Sequence, residues 1–205
     1  MDRRLTARGE ERRRQLLDQA TRAFAEHGYH TTSVADIVDA VGVGKGVFYW
    51  YFDSKEQLFL EVLARARDDL RQAQVAFIAD EHDPLRRLEG GIRASLTWLE
   101  ANRDVLAVFQ LAAVDARFVS ALRASQEAEA AELALHLKDA IATGRIPDGD
   151  PLVLAHAMLG AVEALARTFL GRPGAWDQGV ADTAVAFCLG GILATRSTRD
   201  PSTPA

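Results

Sequence analysis

The chain has 205 residues, of which 48% are hydrophobic and 26% charged. That is enough apolar material for one or two packed domains, and it excludes a chain disordered throughout. A single cysteine, Cys188, excludes a disulfide scaffold and fits a reducing compartment. The formal net charge of −5 is unevenly placed: residues 1–60 hold nine Lys/Arg and nine Asp/Glu, so the rest of the chain holds the whole deficit. The first 22 residues carry seven Arg against four acids. A basic leading edge on an acidic body is compatible with nucleic-acid binding through that edge, although charge alone favours a solvated helix face.

The first fifteen residues, MDRRLTARGEERRRQ, lack an apolar h-region, and Glu10 and Glu11 argue against a transit peptide. The most apolar C-terminal stretches are interrupted by His156, Glu163 and Arg167 and by Asp182, so no membrane span is expected. A cytoplasmic protein follows as the expectation.

The periodicity is helical nearly throughout, with no alternating strand pattern, so the expected fold class is all-α. Leu16, Leu17, Ala20, Ala23 and Phe24 form the apolar stripe of a first helix over about 7–26, which Gly28 closes. Thr32 or Ser33 caps a short second helix whose Val34, Ile37, Val38 and Val41 face inward, and Gly42 ends it. A third helix covers about 44–51. Ser54 and Gln57 make a capping box for a long fourth helix, about 54–78. Further helices are expected at about 84–101, 102–113, 116–142, 151–170 and 177–195. Asp83-Pro84 and Asp150-Pro151 start two of them. The tail RDPSTPA is expected to be disordered.

The most informative segment is 27–56. Two short helices joined by the tight turn VGVGK have the form of a helix-turn-helix, whose second helix must project outward to enter a major groove. Phe48 and Phe52, four apart, anchor that helix to the core. Lys45 and Tyr49 share a different face, and Val47, Trp50 and Tyr51 complete the exposed sides. Tyrosine hydroxyls and ammonium groups suit phosphate contacts, and an apolar side chain such as Val47 suits a thymine methyl.

The run GYHTTSVADIVDAVGVGKGVFYWYFDSKEQLF resembles the N-terminal DNA-binding region of the TetR family of bacterial transcriptional regulators. The resemblance covers about residues 12–60. Gly28, Thr32, Ile37, Gly42, Val43, Lys45, Gly46, Tyr49, Phe52, Ser54, Lys55 and Glu56 stand where the family pattern expects them. It implies that Thr32, Tyr49 and Lys55 bind phosphate and that Lys45, Gly46 and Val47 approach base edges. Two departures, Gly44 and Ala35, occupy positions where the family often has a polar residue and an arginine. Fewer direct base contacts would result, leaving more of the specificity to DNA shape.

The remaining residues match the family only in being helical and of the right length. The resemblance implies a helix-turn-helix domain over 1–53, an effector-binding and dimerisation domain over 54–196, and a tail over 197–205. The last two helices are apolar almost all round and rich in Ala and Gly, which allows close approach to a second copy. This agrees with the family's homodimer, built as a four-helix bundle. Trp98, Phe109, Phe118 and Phe169 are candidate walls of an effector pocket, with Arg93, Gln110 and His156 as polar partners.

Catalytic chemistry finds no support. Cys188 lies in the apolar run AVAFCLGGILA, and His27 and His30 straddle a helix end without other ligands nearby. Gly42, Gly44, Lys45 and Gly46 miss the spacing of a phosphate loop. No metal and no cofactor are expected. The reading is a DNA-binding transcriptional regulator, a repressor released from a palindromic double-stranded operator by a small apolar or amphipathic effector. The rival is a helical small-molecule-binding protein or enzyme in which the helix-turn-helix is only structural.

Overall fold

The computed structural model describes residues 6–172 and 174–194. The expected disordered tail and Thr195, the expected end of the last helix, lie outside those residues. Among the described residues every regular element is helical: α1 (Ala7–His27), α2 (Val34–Val41), α3 (Lys45–Tyr51), α4 (Lys55–Ile78), α5 (Pro84–Ala101), α6 (Arg103–Val114), α7 (Val119–Ala142), α8 (Pro151–Leu165, continued by a π-helical turn, Ala166–Leu170) and α9 (Gln178–Ala194).

The helix ends have local chemical causes. Thr6 caps α1 by accepting from Gly9 N. Ser33 caps α2 in a reciprocal box with Asp36, whose carboxylate accepts from the Ser33 amide at 2.7 Å. Asp83 and Asp150 each cap a helix whose first residue is proline. Gly28 (φ 82°) and Gly42 (φ 72°) turn the chain out of α1 and α2 through a backbone region that side chains with a Cβ rarely adopt.

Three local details differ from the sequence expectation. Ser54 accepts from Gln57 N, but the Gln57 side chain accepts from the amide of Asp53, not from that of Ser54. Helix α7 begins at Val119 instead of 116, because Asp115 and Arg117 form a turn in which Asp115 accepts from the amides of Arg117, Phe118 and Val119. The end of α8 widens into π geometry, where Arg103 donates to the carbonyl of Leu170 at 3.0 Å.

Packing divides the chain into two compact units. One comprises the residues up to Asp68 with Asp104–Leu122; the other comprises Asp69–Arg103 with the residues from Arg123 onward. In the first, α1, α2, α3 and the start of α4 enclose Leu16, Phe24, Ile37, Phe48, Phe52, Leu58 and Phe59, and the segment 104–122 adds Val108, Ala112 and Phe118. Phe59 stacks on Phe118 at 4.1 Å and meets Phe24 and Tyr29 edge-on. Burial of this aromatic cluster removes a large apolar area from water and fixes ring geometry besides.

In the second unit α5 packs on α9, and α8 on α9. Ala155, Met158, Val162, Ala184, Val185 and Cys188 face inward. Each of these two helices is buried along one face only. Leu152, Val153, Phe187 and Leu193 are exposed, Phe187 to 69%. His156, Ala157, Gly160, Glu163 and Ala164 lie on the open face of α8, and Ala186, Gly190 and Ala194 on that of α9. The expectation that no apolar run could span a bilayer needs correction, because Pro151–Leu170 has the length and composition to do so. Its exposed His156, Glu163 and Arg167, the last two within 3.9 Å of each other, make a lipid-facing surface costly.

Candidate nucleic-acid interface

Helix α2 buries Ile37 and Val38, and the turn after it is closed by Val43 N donating to Val38 O at 2.9 Å. Gly44 then starts α3 with no side-chain cap. Seven residues leave α3 too short to be stable alone. Its anchor is Phe48 on α3 with Phe52 just after it, 0% and 1% exposed, their rings 5.5 Å apart. With that face committed, the remaining positions project outward. Lys45 and Gly46 are exposed, Tyr49 and Trp50 are 56% and 50% exposed, and Val47 and Tyr51 are half-buried. Trp50 meets Tyr51 edge-on at 4.5 Å. The helix thus presents an ammonium, a bare backbone stretch and aromatic rings on one open surface.

A Cβ built at Gly46 would meet nothing within 4 Å, and Gly46 has no positive φ. Nothing within the protein requires glycine there. Gly46→Ala is therefore expected to stabilise the fold by up to about 1 kcal/mol through helix propensity, while weakening DNA binding if the backbone approaches the duplex closely. Denaturant melts and duplex titrations of the same variant check both signs.

Two of the expected phosphate ligands sit differently. Thr32 is 2% exposed, and its hydroxyl donates to the carbonyls of Gly28 (2.8 Å) and Ala23 (3.1 Å). That side chain holds the α1–α2 loop in place of facing solvent. The Lys55 ammonium donates to the carbonyls of Tyr29 (2.7 Å) and Thr32 (2.6 Å), and burial, then the charge of Arg117, pushes its pKa below the usual lysine range.

Sequence reasoning missed the surroundings of Tyr29. Its ring is buried against Phe24, Phe59 and Phe118, and burial raises its pKa. Arg117 lies over the ring at 4.5 Å and is held by Asp115, with Nε on Oδ1 at 3.0 Å and Nη2 on Oδ2 at 2.6 Å. Hydrogen bonds from the Arg117 side chain, then from its amide, hold the Asp115 carboxyl well below the usual carboxylate range. His30 Nε2 is 3.4 Å from Asp115. No local pattern announces a contact between residues almost ninety positions apart.

Residues 16–62 match the family described as bacterial regulatory proteins, tetR family. Over 99 residues the chain is 37% identical to the HTH-type transcriptional repressor KstR2 of Rhodococcus jostii, covering 48% of each protein. Residues 16–62 are thus a tetR-family segment. The chain is also 36% identical over 91 residues to the HTH-type transcriptional activator FasR of Mycolicibacterium smegmatis, covering 44% of this chain and 42% of that one. The aligned stretch spans about half the length of these curated relatives. The fold extends further. A crystal structure of a TetR-family transcriptional regulator from Syntrophomonas wolfei superposes with a TM-score of 0.82 over 93% of this chain and 99% of that one, at 19% identity.

The residues expected around a tetR-family effector are divided between the two units. Phe118 is fully buried in the N-terminal core, and Phe109 packs against that core with Arg67 over its ring at 5.5 Å. Gln110 is exposed. In the other unit Trp98 and Phe169 are half-buried and His156 is exposed. Arg93 is already paired with Glu89 (2.8 Å) and Asp182 (2.7 Å).

Proposed function

We propose that the chain is a dimeric, ligand-responsive regulator of transcription that binds palindromic operator DNA through α3. The observation that carries this reading is the arrangement of α3 itself: a short helix fixed by Phe48 and Phe52, with Lys45, Gly46, Tyr49 and Trp50 outward. The bases are read by Lys45, Gly46 and Val47, and phosphates are held by Tyr49, with Trp50 and Tyr51 alongside. Thr32 contributes by fixing the loop before α2.

Two half-sites one turn apart require two reading helices about 34–36 Å apart, hence a dimer. The exposed small and apolar faces of α8 and α9 support a homodimer through these helices. Residues 1–53 then form the DNA-binding domain, and 54–196 the effector-binding and dimerisation domain. The effector is a small apolar or amphipathic molecule, with Trp98 and Phe169, both half-buried in the C-terminal unit, as its candidate contacts. It acts by favouring a conformation that fits the operator less well, and operator binding weakens effector binding by the same factor. Repression is the proposed mode, and the protein works in the cytoplasm.

The test is a fluorescence polarisation titration at two salt concentrations, using a duplex enriched from a random pool by the wild-type protein. Binding should fall steeply with salt. Lys45→Ala should weaken it by about tenfold or more, as for loss of a specific base contact; Tyr49→Phe should weaken it less, with the fold intact in both. Unchanged affinity in both variants would contradict the site.

A further inference from the structure

We propose that Lys55 is a positioning residue of the DNA-reading unit, whose ammonium fixes the start of α2 by gripping the carbonyls of Tyr29 and Thr32, and that it is not itself a phosphate ligand. This rests on the reading of α2 and α3 as the DNA-binding pair. An ammonium has three donors. Two are spent on carbonyls at 2.7 and 2.6 Å, and the nitrogen lies 4.4 Å from the centroid of the Tyr29 ring.

Those two carbonyls belong to the loop that delivers the chain into α2. Thr32 immediately precedes Ser33, the α2 cap. The same loop is tied from within by the Thr32 hydroxyl on Gly28 and Ala23. Arg117, anchored by Asp115, covers the Tyr29 ring and reaches His30 at 3.2 Å. Lys55 is the first residue of α4, so it transmits the position of α4 to the start of α2. The Gly42 turn passes that orientation to α3. Without the ammonium, two carbonyls lose a charge-assisted partner and the loop can drift, so α3 meets the groove at the wrong angle.

A phosphate ligand and a positioning residue respond differently to salt. Each lost phosphate contact lowers the slope of log affinity against log salt by about 0.9. Lys55→Met is expected to weaken binding to the enriched duplex by about tenfold, in line with a charge-assisted hydrogen bond, by the same factor at every salt concentration and with the wild-type slope. Lys55→Gln, which keeps one donor group, should fall between the two and serves if the methionine variant does not fold.

The wild-type protein gives an independent readout, because its lysines are only Lys45, Lys55 and Lys138. Amine labelling followed by mass spectrometry should show DNA protecting Lys45 while the rate at Lys55 stays unchanged. A reduced salt slope in the variants, or protection of Lys55 by DNA, would overturn the proposal in favour of a phosphate contact. A folded variant with wild-type affinity would overturn it in favour of a purely structural contact. Absence of salt-dependent DNA binding in the wild type would instead remove the underlying reading, a result recognisable because Lys45 would then also go unprotected.

Discussion

Replacing Phe187 with aspartate is expected to convert the protein from dimer to monomer and to weaken operator binding by about a hundredfold or more, the loss typical when two linked sites become one. Phe187 is 69% exposed on the open face of α9, so the change costs the folded chain little. In a two-fold interface the same patch meets itself, so every substitution acts twice and two carboxylates are brought into an apolar seam. The neighbours Ala186, Gly190 and Ala194 offer no side chain with which to pair them. Sedimentation velocity reads the mass, far-UV circular dichroism reads the fold, and duplex titration reads the affinity. A variant that stays dimeric would show that these faces are not the interface. A monomer with undiminished affinity would show that two linked readers are not needed.

Phe59→Ala is expected to destabilise the protein by about 3–5 kcal/mol, as deletion of a fully buried aromatic ring does. Phe59 is 0% exposed and touches Phe24, Tyr29 and Phe118. The cavity would lie at the junction of α1, α4 and the segment 104–122, where no single neighbour can collapse to fill it. Phe77→Ala is the control. That ring is 61% exposed, and a change of about 0.5 kcal/mol or less is expected there. Denaturant titration by circular dichroism compares the two. Equal small effects would mean that the aromatic cluster is not the keystone of the N-terminal unit.

The parts of the fold that were legible in the sequence are those with short-range causes. Ser33, Asp83 and Asp150 announce helix starts, Gly28 and Gly42 announce helix ends, and the i, i+4 pair Phe48–Phe52 separates the anchored face of α3 from the open one. All of these act within a few residues. Illegible were the contacts that depend on where distant segments return. Phe118 reads as a candidate pocket wall, and only the fold assigns it to the core beside Phe59. Lys55 reads as a surface cation at a helix start, the usual place for a phosphate contact, because the carbonyls that capture it lie 23 and 26 residues away. Arg93 reads as a polar pocket residue until Asp182, 89 positions on, is found beside it. The exposed side of α3 was visible early because the anchoring pair defines it by subtraction.

The central claim is that α3 enters the major groove twice, once from each subunit. Dimethyl sulfate probing of the enriched duplex tests it most directly, since the reagent reaches guanine N7 in the major groove and adenine N3 in the minor groove. The account predicts two patches of guanine N7 protection with centres about ten base pairs apart, as for two half-sites one helical turn apart, both lost with Lys45→Ala. Protection confined to adenine N3, or a single patch indifferent to Lys45, would contradict it.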